Sequence, residues 1–177
     1  RFFGATVGRY ANRLANAGFV LDGNSVQLTA NNGKHALHGG PDGFDRKLWQ
    51  ITEIEDGAEP CVTLAYVSVD GEEEYPGRLD VRVTYRLTGP SELSISFEAR
   101  ADRPTIVNVT NHSFFNLEGA ASGADILDHR LTVFANRFLA IDPEAIPLPG
   151  PPTAVAGTPF DFRNPSTIGA RIRRDEQ

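Results

Sequence analysis

Leu79-Asp-Val-Arg-Val-Thr-Tyr-Arg-Leu87 is the stretch that decides the fold class of this 177-residue sequence. Apolar and polar residues alternate strictly from Val81 to Leu87, which is the two-residue period of a strand with one buried face. The polar face of this strand is predicted to be exposed: Arg82, Thr84 and Arg86. The same alternation returns at Leu93-Ser-Ile-Ser-Phe97, after a turn at residues 88–91.

Other apolar runs also have the length and composition of strands. Phe19-Val-Leu-Asp-Gly-Asn-Ser-Val-Gln-Leu28 predicts a hairpin, because its Asp-Gly pair suits the left-handed dihedral angles of a tight turn. The remaining strand candidates are residues 49–54, 61–69, 93–99, 106–110, 130–134 and 137–141. The Pro-rich segment 146–157 is expected to be a surface arm or crossing loop that does not continue a ladder. No long window has helical periodicity, so the sequence predicts an all-β fold, a large antiparallel β-sandwich.

Composition and charge exclude several classes of protein. The sequence has 17 Lys and Arg against 23 Asp and Glu, a net charge of -6, which disfavours a nucleic-acid groove. No apolar run reaches the roughly 20 residues that a membrane-spanning helix needs. The single cysteine, Cys61, excludes an internal disulfide and a thiolate zinc cluster, and its apolar surroundings predict a core position. A cytoplasmic setting fits best, with a periplasmic or secreted form left open if a leader precedes Arg1.

Both ends of the sequence predict a piece of a longer chain. There is no methionine, and the opening Arg1-Phe-Phe-Gly4 is already apolar and broken by glycine. The last residues, 171–177, are charged and contain no closing strand. We therefore expect residues 1–177 to be one incomplete domain, with strands missing before it and a further portion missing after it.

Three clusters hold more polar groups than a strand needs. They are Gly8-Arg-Tyr-Ala-Asn-Arg13, Asn31-Asn-Gly-Lys-His-Ala-Leu-His-Gly-Gly40 and Val107-Asn-Val-Thr-Asn-His-Ser-Phe-Phe-Asn-Leu117. His112 is the sharpest candidate, because an imidazole that titrates near neutral pH can both give and take a proton. Its polar neighbours Asn111, Ser113 and Asn116 can fix its tautomer. From composition alone, a hydrogen-bonded structural histidine at a strand end is the more frequent alternative.

His35 and His38 lie three residues apart in a loop rich in glycine. Two ring nitrogens on one loop can share a metal ion, but no cysteine or nearby carboxylate completes a ligand shell, so a metal site is disfavoured. The loop can instead bring His38 close to a polar ligand, or it can be a plain turn with a solvated histidine. Both readings stay open on the residues alone.

Arg13 beside Asn12 combines a forked cation with an amide, a pair that suits a hydroxyl-rich ligand such as a sugar. An exposed surface arginine is the commoner alternative. The acidic turn Asp70-Gly-Glu-Glu-Glu-Tyr-Pro-Gly77 lacks the ligand spacing of a calcium-binding EF-hand, so a solvated loop is expected there.

Taken together, the clusters resemble the aldose 1-epimerases, also called galactose mutarotases. The motifs that carry the resemblance run in order along the whole chain: Gly4-Ala-Thr-Val-Gly-Arg-Tyr-Ala-Asn-Arg-Leu14, Leu37-His-Gly-Gly40, Gly43-Phe-Asp45 with Trp49, Gly71-Glu-Glu73 with Tyr75-Pro-Gly77, the cluster 107–117, Ile126-Leu-Asp-His129 and Gly157-Thr-Pro-Phe-Asp-Phe-Arg163. One such motif would be a weak signal, but their shared order makes the resemblance specific.

The resemblance implies a galactose mutarotase-like supersandwich whose cleft binds a free aldohexose, such as galactose or glucose, and interconverts its α and β anomers. It implies that His112 is the catalytic acid at the ring oxygen, and that Asn12, Arg13 and His38 bind sugar oxygens. Phe114 stands where the family often has tyrosine, and it keeps an aromatic face for stacking on the sugar. No cofactor or metal is implied, because the sugar carries its own electrophile. The family's general-base glutamate matches no residue of this sequence.

Two alternatives use the same residues. A carbohydrate-binding β-sandwich without turnover would make the same hydrogen bonds to a sugar. A hexose-6-phosphate mutarotase would need more cations near the cleft than Arg9 and Arg13. In each case the expected partner is a small sugar, with no nucleic acid and no membrane, and the oligomeric state is not specified.

Overall fold

The computed structural model describes residues 2–172. In chain order its strands are β1 Thr6–Val7, β2 Arg13–Leu14, β3 Gly18–Leu21, β4 Asn24–Gln27, β5 Ala36–Leu37, β6 Gln50–Glu55, β7 Cys61–Ser68, β8 Leu79–Leu87, β9 Leu93–Ala101, β10 Thr110–Asn111, β11 Arg130–Leu131, β12 Arg137–Phe138, β13 Thr153–Ala154 and β14 Ser166–Thr167. Within the described residues, helix is limited to 3-10 turns at Ala15–Ala17, Phe44–Arg46 and Glu72–Glu74. No helix between residues 2 and 172 combines the length and the apolar character that crossing a membrane requires. The predicted all-β class is confirmed.

Strands β6 to β9 form a four-stranded antiparallel sheet in sequential order. Val81 and Val83 of β8 are 1% and 0% exposed, so the predicted apolar face is buried. Leu87, the last residue of β8, is 50% exposed, and the buried face therefore ends before the strand does.

The polar face of β8 is less exposed than its pattern predicted. Arg82 is exposed as expected, but Thr84 and Arg86 are half-buried. The Thr84 hydroxyl shares a 2.9 Å hydrogen bond with Thr63 of β7, and Arg86 donates to the Glu55 carboxylate of β6 over 2.9 Å. Cross-strand partners thus cover two of the three polar side chains, a pairing that a single strand's alternation does not encode.

Strands β3 and β4 form the predicted hairpin, with Leu21 paired to Asn24. The two connecting residues, Asp22 and Gly23, have φ angles of 50° and 81°. Two successive left-handed residues make a primed turn, whose twist matches an antiparallel pair. The hairpin prediction is confirmed.

Three predicted strands are much shorter than their apolar patterns indicated. Residues 106–110 contribute only the start of β10 and one isolated parallel bridge between Tyr10 and Asn108. Residues 130–134 and 137–141 contribute the two-residue strands β11 and β12. Their partner strands β1, β14 and β13 are also two residues long, so each of these ladders contains only two residue pairs.

The prediction for the Pro-rich segment 146–157 is wrong in part. Its residues Thr153 and Ala154 form β13 and pair with β12. Pro151 and Pro152 precede this ladder, so neither ring removes a hydrogen bond from it. The Pro152 carbonyl also accepts a 2.9 Å hydrogen bond from Arg137.

The chain divides into two compact units, Arg1–Ser113 and Phe114–Gln177. The first unit contains two apolar clusters, and their buried members are Ala17, Leu28, Ala36 and Tyr75 in one and Phe44, Leu79 and Val81 in the other. Cys61 of the same unit is 6% exposed, which confirms its predicted core position. The second unit carries β11 to β14. One incomplete domain over residues 1–177 stays a prediction.

Candidate functional site

The first unit brings together two histidine rings that lie 74 positions apart in the sequence (112 − 38). The ring centroids of His38 and His112 are 5.1 Å apart, and the ring planes meet at 89°. Both residues are half-buried. The pair therefore has access to solvent while each imidazole is held against the other.

Phe2 is a third ring at this position, and the sequence analysis did not select it. Its centroid lies 4.8 Å from that of His38, edge to face, and 5.6 Å from that of His112, with a 24° angle between planes. The only available signal was the apolar opening of the chain, which gave no hint of a contact with either histidine. Phe2 supplies an apolar wall beside both imidazoles.

His112 is positioned by backbone hydrogen bonds to Gly4 and Ala5, the two residues that precede β1. Its N–H donates to the Ala5 carbonyl over 2.9 Å, and its own carbonyl accepts from the Gly4 N–H over 3.2 Å. The Asn111 side chain donates to the Gly4 carbonyl over 3.2 Å and accepts from the Ser113 N–H over 3.0 Å. The Asn111 side chain therefore links the residue after His112 to Gly4, which is hydrogen-bonded to His112. The tautomer-fixing role expected of these neighbours stays a prediction.

His38 is positioned by Asn12, the residue before β2. The His38 N–H donates to the Asn12 carbonyl over 3.1 Å, and the Asn12 N–H donates to His38 Nδ1 over 3.0 Å. Both residues have a left-handed backbone conformation, with φ of 54° at His38 and 64° at Asn12. Gly39 follows with φ of 89°, and a Cβ there would lie 1.8 Å from the Gly8 carbonyl oxygen. Only glycine allows this close approach of the two backbones.

Arg13 is a half-buried residue of β2, opposite Leu37 of β5. Its Nε donates to the Asn32 side-chain oxygen over 2.9 Å, and one terminal nitrogen lies 3.4 Å from the Asn12 side-chain oxygen. The Asn12 and Arg13 side chains are therefore neighbours, held in the strand pair that leads into His38.

Phe114 begins the second unit and is 60% exposed. An exposed ring can offer its face to a ligand, but its stacking role stays a prediction. The predicted site residues His38, His112, Asn12 and Arg13 all belong to the first unit.

Arg9 of the first cluster was considered only as a cation near the cleft, and the structure buries it. It is 2% exposed. Its terminal nitrogens donate to the Gly77 carbonyl over 2.8 Å and to the Ser68 hydroxyl over 2.6 Å, and its cation lies 5.5 Å from the centre of the Tyr75 ring. Burial lowers the pKa of the Arg9 guanidinium, and the nearby Glu72 carboxylate opposes that change. A lone arginine in a polar cluster gave no sequence signal of complete burial.

The acidic turn at residues 70–77 was predicted to be a solvated loop, and this is wrong for Glu72. The Glu72 carboxylate accepts hydrogen bonds of 2.5 Å from both the Tyr66 and Ser68 hydroxyls and lies 3.2 Å from the Lys47 ammonium. Its side chain is 15% exposed. Burial, then the hydrogen bond to Glu72, raises the pKa of Tyr66 to about 12. The turn is therefore tied into the first unit by a charged network, which composition alone did not reveal.

No group of three or more His, Cys, Asp or Glu side chains within residues 2–172 is arranged to hold a metal ion. The Nδ1 atoms of His35 and His38 each accept a main-chain N–H, from Asn16 and Asn12 respectively, over 3.0 Å. One nitrogen of each ring is therefore already used by the protein.

Comparison with known proteins identifies the family of this chain. The family described as Aldose 1-epimerase matches residues 1–177. The aldose 1-epimerase of Haemophilus influenzae is 46% identical over 174 residues, covering 98% of this chain and 48% of that protein. The galactose mutarotase of Sus scrofa is 46% identical over 172 residues, covering 97% of this chain and 48% of that protein.

A solved structure has the same fold. The crystal structure of galactose 1-epimerase from Lactobacillus acidophilus matches with a TM-score of 0.90 at 34% identity, over 99% of this chain and 51% of that one. This likeness confirms the galactose mutarotase-like fold that the family resemblance implied. The chain spans about half the length of the relatives that it matches.

Proposed function

The chain belongs to the aldose 1-epimerase family, and from that premise we propose that the protein interconverts the α and β anomers of free aldohexoses such as galactose and glucose. The observation that carries the proposal is the contact between His38 and His112, whose ring centroids lie 5.1 Å apart in a half-buried position. Two imidazoles at that separation can each form a hydrogen bond to one of two neighbouring oxygens of the same sugar.

In this proposal His112 is the catalytic acid. Its imidazolium form transfers a proton to the ring oxygen O5 while a base takes the proton of the C1 hydroxyl. The C1–O5 bond breaks, and C1 becomes an aldehyde. Rotation about the C1–C2 bond presents the other carbonyl face, and the reverse proton transfers close the ring as the second anomer. The base is proposed to be a glutamate outside these 177 residues.

Asn12, Arg13 and His38 are proposed to bind sugar oxygens, and Phe114 to stack on the sugar. The fixed positive charge of Arg13 can stabilise the negative charge that develops as the ring opens. Its hydrogen bond to Asn32 limits the movement of the guanidinium, which supports a binding role over that of a mobile surface cation. The reaction as written consumes no cofactor.

The hexose-6-phosphate alternative is supported less well. For a hexose-6-phosphate substrate the candidate cations were Arg9 and Arg13. Arg9 is 2% exposed and donates to Ser68 and Gly77, so it is not available to a phosphate. A sugar-binding module without turnover needs the same side chains, and only a measurement of turnover separates it from the enzyme.

Polarimetry of the complete gene product tests the proposal. The approach of freshly dissolved α-galactose and α-glucose to anomeric equilibrium should be faster with the protein than in buffer alone. Sugar binding detected by calorimetry without any acceleration would favour the non-catalytic module. If the protein neither binds the sugars nor accelerates their anomerisation, both the enzyme and the non-catalytic binding module are ruled out. A cytoplasmic location is part of the proposal, and fractionation of the source cells checks it.

A further inference from the structure

Strands β2 and β5 make a ladder of only two residue pairs, and a histidine stands at each end of it. The pairs are Arg13 with Leu37 and Leu14 with Ala36. His38 follows β5 and His35 precedes it. So short a ladder needs further contacts to define where it begins and ends.

Each end of the β2–β5 ladder has a hydrogen bond from an asparagine main-chain N–H to a histidine ring. At one end the Asn12 N–H donates to His38 Nδ1 over 3.0 Å, and at the other the Asn16 N–H donates to His35 Nδ1 over 3.0 Å. Asn12 and Asn16 have φ of 64° and 52°, a left-handed conformation that asparagine tolerates better than most residues. The two asparagines thus use their main chain, rather than their amide side chain, to meet the imidazoles.

A main-chain N–H cannot accept a hydrogen bond, so the ring nitrogen opposite it must supply a lone pair. In neutral histidine the other ring nitrogen then carries the proton. We propose that the Asn12 main-chain N–H holds His38 in the Nε2–H tautomer, so that His38 serves the sugar site as a fixed hydrogen-bond donor. The role toward sugar rests on the proposed function, whereas the tautomer itself does not.

This tautomer gives the imidazoles of His38 and His112 different roles in the reaction. A neutral ring with its proton on Nε2 donates a hydrogen bond to a sugar oxygen but does not accept the C1 hydroxyl proton at that nitrogen. Proton transfer is then left to His112. Asn12 acts here as a positioning residue, through its backbone, in addition to any contact of its side chain with the sugar.

Nitrogen NMR of the complete gene product, labelled with ¹⁵N, tests the tautomer without reference to turnover. At neutral pH His38 should have a bare Nδ1 and a protonated Nε2, with a scalar coupling across the hydrogen bond from the Asn12 amide nitrogen. His35 and Asn16 provide the internal reference for the same pattern. A proton on Nδ1 of His38, fast averaging of its tautomers, or a doubly protonated ring at neutral pH would overturn the proposal.

The variant Asn12→Gly is the matched control. Glycine keeps the N–H and accepts the left-handed φ, so the His38 tautomer should not change. A changed tautomer would show that the side chain, not the main chain, sets it. Saturating galactose should shift the His38 Nε2–H resonance and leave that of His35 in place, and the absence of a selective shift would overturn the donor role. If the tautomer stands while polarimetry finds no acceleration, the proposed function fails alone.

Discussion

The Arg9 guanidinium donates to the Ser68 hydroxyl over 2.6 Å, and that hydroxyl donates to the Glu72 carboxylate over 2.5 Å. The same guanidinium donates to the Pro76 and Gly77 carbonyls over 3.0 Å and 2.8 Å. A buried cation thus joins the acidic turn to the end of β7. Without it, carbonyl groups that are shielded from water would lose their donors.

We therefore expect Arg9→Met to be strongly destabilising. Methionine fills much of the volume but donates no hydrogen bond, and removing one partner of a buried charged network costs about 3–5 kcal/mol. Urea unfolding of the complete gene product measures the change in unfolding free energy. Arg82→Met is the control, because Arg82 is exposed on the sheet and should change stability by no more than about 0.5 kcal/mol. Equal losses in the two variants would contradict the assigned role of Arg9.

Gly39→Ala tests the close packing behind His38. The added Cβ would lie 1.8 Å from the Gly8 carbonyl oxygen, in a residue whose φ is 89°. Gly89 is a matched control, since its φ is 90° and nothing lies within 4 Å of its would-be Cβ. Gly89→Ala should cost about 1 kcal/mol from backbone strain alone. Gly39→Ala should lower the unfolding free energy by clearly more, and thermal melting compares the two. A cost at position 39 no greater than at position 89 would mean that the backbones separate freely.

The long strands were predictable because their periodicity is strong and local. β8 matches its prediction to the residue, and the Asp22-Gly23 turn matches because its dihedral angles belong to those two residues. The two-residue strands were not predictable to the same degree. Their apolar patterns at residues 130–134 and 137–141 continue past the point where pairing stops, and the extent of pairing depends on a partner far along the chain.

The candidate site was also predictable only in part. His38 and His112 were identified by residue type and motif, but their 5.1 Å separation depends on β1 pairing with β10 and β2 with β5. The contact of Phe2 with the histidines and the burial of Arg9 were not predicted, because nothing local distinguishes a site-lining phenylalanine or a buried arginine from ordinary ones. Burial is a property of the whole fold, and a single sequence carries it only weakly.

Tyr66 should make stability depend on alkaline pH. Burial and its hydrogen bond to Glu72 raise the pKa of this phenol from its ordinary value of 10.0 to about 12. The folded state therefore favours the neutral phenol, and this contribution is complete below pH 10 and is lost as the pH rises from about 10 to about 12. Tyr66→Phe lacks the contribution. The difference in unfolding free energy between the wild type and this variant should shrink from about pH 8 to about pH 11. A difference that stays constant over that range would contradict the assigned pKa.

His112→Asn should reduce anomerisation by at least about 100-fold, the scale of positioned general-acid catalysis. Asparagine keeps a polar side chain of similar reach but cannot deliver a proton at neutral pH. Polarimetry of freshly dissolved α-glucose gives the rate, and unfolding in urea establishes that the variant is folded. His129→Asn is the matched control, because the His129 Nε2 accepts the Leu117 N–H over 2.8 Å and no role in the reaction is assigned to it. The control should retain the wild-type rate. If a folded His112→Asn variant also retains it, the proton at O5 comes from another group and His112 only binds sugar.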